Sequence, residues 1–341
     1  MLFWLAQRAL FVTDPETAQY IALEGLKLSA ATGAARLLCP LRSLPVDCMG
    51  LHFDNPVGLA AGLDKDGDYI DALGSLGFGF IEIGSVLPRP QPGNPKPRVF
   101  RLPQARAVIN RLGFNSKGVD HTVRRLERRR YQGVLGVNIG KNRDTPIESA
   151  ADDYRLCMRK VYPFADYITV NISSPNTDGL RSLQYGAHLD TLLADLAVER
   201  ARLADEHGRY LPLVVKVAPD LGTTDIETMA ESFVRHRIDG VIATNTTIAR
   251  DGVEGLRHGD EPGGLSGAPL RTRADEVLRL FRAARPDQIT LIGLGGITRG
   301  EDAADKIAAG ASLVQFYTGM IYQGPELIAD CVEAIGRMEA R

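Results

Sequence analysis

The sequence predicts an α/β protein built as a closed (β/α)8 barrel (TIM barrel) with a small N-terminal helical extension. From about residue 50 onward, short runs rich in β-branched and other apolar residues alternate with amphipathic segments of helix length, which is the pattern of parallel βα units. The 341 residues hold eight such units, and a closed barrel takes ~250 residues. An open doubly wound sheet is the alternative, but no G-x-G-x-x-G motif follows the first strand.

Eight strand candidates, each followed by a helical segment, define the order of the units. The strands are expected at Val57–Ala61, Phe80–Ser85, Gly133–Gly140, Tyr167–Ser173, Leu213–Ala218, Gly240–Thr244, Thr290–Leu294 and Leu313–Tyr317. The helices are expected near residues 65–76, 115–130, 149–161, 188–207, 224–236, 268–284, 300–309 and 325–338.

Composition excludes several functional classes. The formal net charge is −2, from 40 Lys and Arg against 42 Asp and Glu, and this balance argues against a dedicated nucleic-acid-binding protein. The four cysteines form no C-x-x-C pair, so neither a metal site nor a disulfide framework is expected. We expect a small-molecule partner, with reducing cytoplasm as the default compartment.

Polar groups follow every predicted strand at its carboxyl end, where the βα loops of a barrel build the active face. Any one of them is explained as a loop residue or a helix cap, but eight together predict a binding site. In chain order they are Ala61–Lys65 (AGLDK), Ser85, Asn138, Asn171, Lys216, Thr244–Thr246, Gly295–Gly296 and Tyr317–Thr318.

The residue types indicate the chemistry. Gly295–Gly296 lies where many barrels bind phosphate through backbone N–H groups. Lys216 is expected to point into the barrel, either beside a ring that becomes anionic on reduction or in a buried salt bridge, and Lys65 offers a cation for a carboxylate. Amide side chains suit a cyclic imide, because each offers a donor and an acceptor, although asparagine is also a common turn residue. The amides concerned are Asn110, Asn171, Asn176 and Asn245.

A general base is the hardest role to assign. No pair of carboxylates suits acid–base work, and the six histidines lie away from the predicted strand ends, so a Ser-His-Asp triad is not expected. Ser173 and Ser174 are the only hydroxyls placed like a base in a loop. An unassisted serine is a weak base and needs a buried polar path and a preorganised substrate. A turn serine before Pro175 is the alternative.

Eight motifs in collinear order carry a resemblance over nearly the whole chain. They are AGLDK (61–65), INRLGFN (109–115), GVNIGKN (136–142), NISSPNT (171–177), KVAPD (216–220), ATNTT (243–247), GGLSGAPL (263–270) and YTGMIYQGP (317–325). With these motifs the sequence resembles the flavin-dependent dihydroorotate dehydrogenases, and in particular their quinone-dependent, membrane-associated class.

The resemblance implies FMN as cofactor, oxidation of dihydroorotate to orotate in pyrimidine synthesis, and a membrane quinone as the final electron acceptor. The implied FMN-binding residues are Ala61, Gly62, Leu63, Asp64, Lys65, Ser85, Asn138, Asn171, Lys216, Thr244, Gly267, Gly296, Tyr317 and Thr318. The implied substrate-binding residues are Lys65, Asn110, Arg111, Leu112, Gly113, Phe114, Asn171, Asn176, Asn245 and Thr246.

Ser174 matches the catalytic base of the family, which takes the C5 proton while C6 delivers a hydride to flavin N5. Cytosolic relatives that use fumarate or NAD carry cysteine at this position, so Ser174 favours the quinone class. Two residues depart from the family pattern, Asp178 where proline is common and Ser85 where threonine is frequent. These departures concern local loop shape and one FMN contact.

Residues 1–45 are expected to form a separate N-terminal segment, followed by the catalytic barrel at 46–341. Leu2, Leu5, Ala9 and Val12 recur at helical spacing, and Asp14–Pro15 resembles the cap and first turn of a second helix. The two helices either pack on the barrel or form a hood that faces one membrane leaflet around a quinone tunnel. Residues 1–40 are expected to contribute nothing at the strand ends.

The hood interpretation places the protein peripherally at the cytoplasmic face of the cell membrane. No stretch approaches the ~18 apolar residues that span a bilayer. Arg101 resembles the arginine that lines the quinone tunnel of the family. The Arg-rich segment Arg124–Arg130 is expected to be a solvated face rather than a lipid site.

Three other functions remain open on the sequence. A fumarate- or NAD-linked member of the same family is disfavoured by Ser174 and by the extension. A non-redox phosphate-binding barrel, such as a lyase, explains Gly295–Gly296 but neither the asparagines nor Lys216. A pure scaffold predicts that the residues at the strand ends are replaceable without loss of turnover.

Overall fold

The computed structural model describes residues 2–33, 42–285 and 288–340, with side chains in the first helix from Gln7 onward. Over these residues the strands β1 to β13 are Val46–Cys48, Leu51–Phe53, Val57–Leu59, Phe80–Val86, Val99–Leu102, Ala107–Asn110, Val134–Ile139, Tyr167–Asn171, Leu213–Val217, Gly240–Ala243, Gly264–Gly267, Thr290–Leu294 and Leu313–Phe316. The α-helices there are α1 (Leu2–Phe11), α2 (Pro15–Ala31), Ile70–Gly74, Val119–Leu126, Ala150–Val161, Gly186–His207, Thr223–Arg235, Arg271–Ala284, Gly300–Ala308, Thr318–Gln323 and Glu326–Glu339.

Eight parallel strands close into a barrel in the order β3-β4-β7-β8-β9-β10-β12-β13. β13 pairs with β3, with Val314 opposite Val57, and this pairing closes the sheet. Each of the eight predicted strands is present, with ends within two residues of the expected positions. The predicted (β/α)8 barrel is therefore confirmed.

The first predicted helix of the barrel is shorter than expected. The segment at 65–76 is helical only over Ile70–Gly74. The buried carboxylate of Asp64 accepts the backbone N–H groups of residues 67–69 and holds a turn there. Side chains that bond to nearby backbone groups compete with a helix in this way.

Aromatic side chains close the amino end of the barrel. Phe53, from the β1–β2 hairpin, packs edge-on against Phe80 with 5.2 Å between ring centroids, and Phe80 lies 6.4 Å from Tyr167. Gly136 leaves room for Tyr167, because a Cβ there would lie 2.1 Å from the ring. The polar residue Glu82 lies two positions after Phe80 in β4, on the same side of the strand.

A small antiparallel sheet forms within the segments that follow β4 and β10. Its strand order is β11-β6-β5. Asn110, at the end of β6, lies opposite Gly264, and Gly267 lies opposite Ala107. The sheet therefore joins two predicted site residues, Asn110 and Gly267, that are far apart in the chain.

The helices α1 and α2 and the turn between them, called the N-terminal hood below, lie against the barrel. Asp14 caps α2 by accepting a backbone N–H of its first turn at 3.0 Å, and Pro15 occupies that turn, which confirms the sequence prediction. Gln7 in α1 donates to the carbonyls of Ile321 and Tyr322. These contacts hold α1 to the helix that follows β13.

The hood leaves an apolar face uncovered. Val12 is 89% exposed and Leu28 is 70% exposed, and Tyr20 and Ile21 are exposed as well. In the part of the chain that the structure describes, no helix combines the length and the apolar character needed to cross a membrane.

Candidate active site

A connected set of buried polar side chains lies at the carboxyl ends of β4, β7 and β8. Ser85 donates its hydroxyl to Asn138 Oδ1 and accepts a hydrogen bond from Asn171 Nδ2 at 2.9 Å. Asn138 Nδ2 donates to the Glu82 carboxylate at 2.9 Å. All four residues are buried. The structure thus brings three of the predicted FMN-binding residues together.

Lys216 lies beside this set, because it is the register partner of Asn171 across β8 and β9. Its side chain is buried. Its amino group makes no hydrogen bond or ion pair to any described residue, so the alternative of a buried salt bridge is not seen there. Burial lowers the pKa of Lys216, while the charge of Glu82 acts in the opposite direction. The amino group of this buried lysine is therefore left available to a ligand.

The loop after β10 contributes two of the predicted substrate-binding residues, Asn245 and Thr246. Asn245 Nδ2 donates to Ser173 Oγ at 3.0 Å, and Ser173 Oγ donates to Asn171 Oδ1 at 3.1 Å. Thr246 N–H donates to Asn245 Oδ1 at 2.8 Å, and the hydroxyl of the buried Thr244 donates to the Asn245 carbonyl. One hydrogen-bond network therefore connects the predicted substrate and FMN residues.

Ser174, the predicted base, is buried in the loop after β8. Its Oγ accepts the Asn176 N–H at 3.2 Å, and Asn176 Nδ2 donates to Asn110 Oδ1 at 3.2 Å. Within the described residues, no carboxylate or imidazole hydrogen-bonds to Ser174. Asn176 also lines a cavity of about 360 Å³ together with Arg111 and Asp178. The predicted base thus lies next to Asn176, which lines the cavity.

The loop after β3 carries the predicted residues Ala61 to Lys65. Lys65 Nζ donates to the Gly62 carbonyl at 2.9 Å, and burial lowers the pKa of Lys65. Burial raises the pKa of Asp64 to about 6, although its three backbone N–H partners oppose this. Backbone N–H groups of the same loop occupy the Asp64 carboxylate, whereas the Lys65 side chain remains at the strand end as a positive charge for a ligand.

The predicted phosphate side is formed by β11 and by the residues that follow β12 and β13. Thr318 Oγ1 and Ser266 Oγ lie 2.8 Å apart, and Gly267 follows Ser266 in β11. Gly296 has a φ of 80°, and a Cβ there would lie 2.4 Å from the Arg271 Cα. Glycine is therefore required for the backbone after β12 to pack against the helix that starts at Arg271.

The segment after β6 is held through its backbone. Gln91 and Asn94 donate hydrogen bonds to the four carbonyls of residues 111–114. The Arg111 guanidinium pairs with Glu261 at 2.7 Å. The segment comprises the predicted substrate residues Arg111, Leu112, Gly113 and Phe114.

Arg101 in β5 binds the end of α1. Its guanidinium donates to the carbonyls of Leu10, Phe11 and Thr13 and lies 4.7 Å from the centroid of the Phe11 ring. Partial burial lowers the pKa of Arg101. Arg101 therefore docks the hood onto the barrel, a role that the sequence did not predict for it.

The expectation that residues 1–40 contribute nothing at the strand ends is wrong. Gln19 in α2 donates to the Leu63 carbonyl at 3.0 Å and accepts a hydrogen bond from the Tyr317 hydroxyl at 3.2 Å. Leu63 and Tyr317 both belong to the predicted FMN set. Sequence reasoning missed Gln19 because a glutamine in an amphipathic helix has the pattern of a surface residue.

Glu82 is a second residue that the sequence analysis missed. It is fully buried in β4 and accepts hydrogen bonds from Asn138, Tyr167, Thr169 and Gln315. The available signal was a charged residue inside the otherwise apolar run FIEIGSV. Fully buried carboxylates are rare unless they are paired or hydrogen-bonded.

A larger cavity, of about 640 Å³, lies at the opposite end of the barrel. Met49, Arg237 and Thr290 line it, and Thr290 is the first residue of β12. None of the predicted site residues lines this cavity. Because active sites of such barrels lie at the carboxyl ends of the strands, we place the site at the polar network instead.

All six histidines lie outside the barrel strands. His121 lies 2.9 Å from an Asp68 carboxylate oxygen, and His236 lies 3.1 Å from one of Asp190. Over residues 2–33, 42–285 and 288–340, no group of three or more His, Cys, Asp or Glu side chains is arranged to hold a metal ion.

Comparison with known proteins extends these observations. The family model described as Dihydroorotate dehydrogenase matches residues 43–338. Curated proteins named Dihydroorotate dehydrogenase (quinone), from Burkholderia mallei (strain SAVP1) and from Burkholderia thailandensis, are 56% identical to this chain over 341 residues, which is 100% of the chain and 99% of each relative.

Solved structures agree with the sequence relatives. A crystal structure of DHODH from Eimeria tenella in complex with ferulenol matches with a TM-score of 0.86 and 38% identity, over 94% of this chain and 90% of that one. A ligand-free structure from the same organism matches with a TM-score of 0.84 and 39% identity, over 94% of each chain. The family model and the full-length relatives, together with the strand-end network, show that this chain belongs to the dihydroorotate dehydrogenase family, in the quinone-dependent class.

Proposed function

We propose that this protein oxidises dihydroorotate to orotate with FMN bound at the polar network, and that a membrane quinone takes the electrons. Family membership supports the reaction and, in general, a flavin cofactor. The observation that carries the assignment to this site is the unpaired amino group of the buried residue Lys216. It has no hydrogen-bond partner among the described residues and lies next to Asn171.

The residues present fit FMN. Lys216 offers positive charge in a buried place, and Ser85, Asn138 and Asn171 offer a hydroxyl and two amides, which match the alternating polar atoms of a flavin ring. The backbone at Gly267 and Gly296 suits the phosphate. Bound there, FMN supplies a ring that accepts the hydride leaving C6 of dihydroorotate.

The substrate is proposed to bind where the amides of the network meet Lys65. The Lys65 cation is suited to the carboxylate of dihydroorotate, because charge pairing is stronger where water is excluded. Asn171 and Asn245 face each other across Ser173, and Asn176 contacts Asn110. These amides offer donors and acceptors to a cyclic imide.

Ser174 is proposed to remove the C5 proton. The Asn176 N–H donates to Ser174 Oγ at 3.2 Å, and this hydrogen bond stabilises negative charge on the oxygen. As Ser174 takes the C5 proton, its own hydroxyl proton passes to solvent through the cavity that Asn176 lines. Burial of Ser174 itself limits the access of water to the reacting carbon. Because no carboxylate or imidazole among the described residues assists Ser174, a preorganised substrate is essential for its action.

The N-terminal segment, residues 1–45, is proposed to hold the protein at the cytoplasmic face of the membrane as a peripheral contact, with residues 46–341 forming the catalytic barrel. The exposed side chains of Val12 and Leu28 support an apolar membrane-facing surface. Gln19 and Arg101 support a quinone path beside the hood, because both connect it to the strand-end side of the barrel.

The experiment that tests the proposal begins with the absorbance spectrum of the purified protein. We expect a yellow protein that releases FMN on denaturation. Anaerobic dihydroorotate should bleach the flavin band, and a short-chain benzoquinone should restore it. A colourless protein that takes up no FMN on reconstitution would contradict the proposal, as would a flavin that dihydroorotate does not reduce.

A further inference from the structure

Arg181 contacts three loops at the carboxyl end of the barrel, and the proposed reaction gives it no role. Its Nε donates to the Ser173 carbonyl, in the loop after β8, at 3.0 Å. Its Nη2 donates to the Thr246 carbonyl, in the loop after β10, at 2.9 Å. Its Nη1 donates to the carboxylate of Asp220, after β9, at 2.8 Å. One guanidinium therefore joins the loops that follow three neighbouring strands.

The short helix Leu180–Gln184 holds Arg181 in this place. Leu183 is buried, and Gln184 Oε1 accepts the N–H of Ala218, the residue directly after β9, at 2.9 Å. The side chain of Arg181 is only 20% exposed. A planar guanidinium presents its donors in fixed directions, so an arginine anchored in this way can bind three acceptors on separate loops.

The hydrogen bond to Ser173 bears directly on the proposed base. The Ser173 carbonyl belongs to the planar peptide that joins Ser173 to Ser174, so fixing it fixes the backbone from which the Ser174 side chain extends. Among the described residues, this peptide has no other hydrogen-bond partner at its carbonyl or its N–H. The preceding peptide is held separately, through the Ser173 N–H and Asn171 Oδ1.

The hydrogen bond to Thr246 fixes the neighbouring loop, which carries the predicted substrate residues Asn245 and Thr246. No other described group donates to the Thr246 carbonyl. The two loops also meet where Asn245 Nδ2 donates to Ser173 Oγ, but that bond joins side chains. Because one guanidinium holds a backbone carbonyl of each loop, Arg181 fixes the separation of their backbones.

We infer that Arg181 is a positioning residue for the base, because it sets the Ser174 backbone at a fixed separation from the loop that holds Asn245 and Thr246. The inference rests on the proposed function, which gives Ser174 the C5 proton and the loop after β10 the substrate. Proton transfer requires an approach of about 2.6–3.2 Å between heavy atoms, and a misplacement of about 1 Å costs about 10²-fold in rate. Arg181 therefore acts on proton removal more than on substrate affinity.

Asp220 offsets the charge of Arg181, so the placement of the donors is what matters. The Asp220 carboxylate also accepts the Thr247 hydroxyl and the Ile248 N–H, which keeps it within the same group of loops. A lysine in place of Arg181 would keep the positive charge. Its donors radiate from a single nitrogen, however, and cannot serve three acceptors on three loops.

Three variants separate the bridge from general packing. Arg181→Met keeps the length of the side chain and removes all three hydrogen bonds, and Arg181→Lys keeps the charge. The matched control is Arg273→Met. Arg273 also donates to two backbone carbonyls, of Pro219 and Leu221, and to one carboxylate, of Glu276. Stopped-flow absorbance gives the rate of flavin reduction per bound FMN at saturating dihydroorotate, and titration of the flavin band gives the orotate dissociation constant.

We expect Arg181→Met to slow flavin reduction about tenfold or more while the orotate dissociation constant rises less than about threefold. Arg181→Lys should remain at least about fivefold slower than the parent, and Arg273→Met should match the parent. The melting temperatures of the two methionine variants should be similar. Equal reduction rates in Arg181→Met and Arg273→Met would overturn the inference, as would full recovery of the rate with lysine.

A double-mutant cycle with Ser174→Ala shows whether Arg181 acts through the base. Once the serine hydroxyl is absent, its placement no longer affects the rate. We therefore expect Arg181→Met to slow flavin reduction less than about threefold in the Ser174→Ala protein, against about tenfold or more in the parent. Equal factors in the two backgrounds would overturn the inference.

The cycle stays decisive if Arg181→Met yields no folded flavoprotein. Arg181→Lys, which keeps the charge beside Asp220, then enters the same cycle with the same criterion. A Ser174→Ala protein that dihydroorotate reduces as fast as the parent would instead contradict the proposed function, because Ser174 would not be the base.

Discussion

Tyr317 and Gln19 meet where the hood touches the barrel. The Tyr317 hydroxyl donates to Gln19 Oε1 at 3.2 Å, and Gln19 Nε2 donates to the Leu63 carbonyl at 3.0 Å. One side chain of α2 therefore bridges the loop after β3 and the end of β13. The hood is thus part of the wall around the proposed flavin site as well as a candidate membrane surface.

Replacing Gln19 should weaken FMN retention. Gln19→Ala removes two hydrogen bonds that hold the backbone of Leu63 and the ring of Tyr317, and each bond is worth about 1 kcal/mol. We expect the dissociation constant of FMN to rise about fivefold or more, measured by the fluorescence of released flavin.

Gln7→Ala is the matched control for this change, because Gln7 also makes two hydrogen bonds from the hood, but to the carbonyls of Ile321 and Tyr322. Equal FMN loss in the two variants would show that Gln19 acts only by docking the hood.

Ser174→Ala should slow reduction of the flavin by dihydroorotate ~10²-fold or more, the usual contribution of a positioned base, with little change in dihydroorotate affinity. Ser174→Cys should retain partial activity with a pH profile shifted to lower pH, because a thiol ionises more readily than a hydroxyl. Stopped-flow absorbance measures both rates.

The control for Ser174 is Ser182→Ala, in the same segment of chain, whose exposed hydroxyl only bonds to the Gly179 carbonyl. Its reduction rate should equal that of the parent. An unchanged rate in Ser174→Ala would exclude Ser174 as the base.

Lys216→Met should slow flavin reduction by at least about tenfold, because a buried cation that favours the anionic reduced ring is lost. The rate is measured by stopped flow and expressed per bound FMN, so that loss of cofactor is separated from loss of chemistry. If the rate per bound flavin matches that of the parent, Lys216 serves the structure alone.

A pH-dependent stability effect is expected at Glu199, far from the site. Hydrogen bonds from Arg159 hold the pKa of Glu199 at about 2, below its ordinary 4.5, with Arg202 adding to the effect. A carboxylate with a depressed pKa stabilises the fold fully above pH 4.5, and this stabilisation is lost as the pH falls from 4.5 towards 2.

Glu199→Gln should therefore lower the melting temperature by about 1–2 °C at pH 7, and the difference from the parent should shrink at pH 3. Glu206→Gln is the control, because Glu206 is more exposed and approaches only Arg202 and His207. A difference that is constant with pH would contradict the ion-pair explanation.

Charge introduced on the uncovered face of the hood should abolish membrane binding without loss of chemistry. Val12→Glu combined with Leu28→Glu alters two side chains that are largely exposed. We expect loss of flotation with phosphatidylglycerol-containing vesicles and lower turnover with long-chain quinones, while dihydroorotate still reduces the flavin. Val198→Glu changes a comparably exposed residue on the helix Gly186–His207 and should leave vesicle binding intact. Equal vesicle binding by all three proteins would refute the membrane role of the hood.

The barrel was predictable because its strands differ so clearly from its helices in residue pattern. Apolar and β-branched runs such as Leu213–Val217 end in polar residues, and the strand ends of a barrel are neighbours whatever their separation in sequence. The pairing of Asn171 with Lys216 follows from that rule alone. Most of the predicted site could therefore be read from strand ends.

Other parts of the site were not predictable in this way. Glu82 lies inside a strand, three residues before Ser85, and only the closed barrel shows that its side chain joins the polar network. Gln19 lies in a helix outside the barrel units, and nothing local in α2 marks it. The hydrogen bonds of Arg101 to the end of α1 likewise depend on where the hood docks.

The docking of the hood also sets an order of events during synthesis. Gln7 and its partner Ile321 are 314 positions apart, and Gln19 and Tyr317 are 298 apart. The ribosome releases α1 and α2 long before the end of β13, so the hood has no closed barrel to dock on until β13 has been synthesised. Throughout that interval the apolar residues of α1 and α2 are open to a chaperone or a bilayer, before any catalytic barrel exists to be recruited.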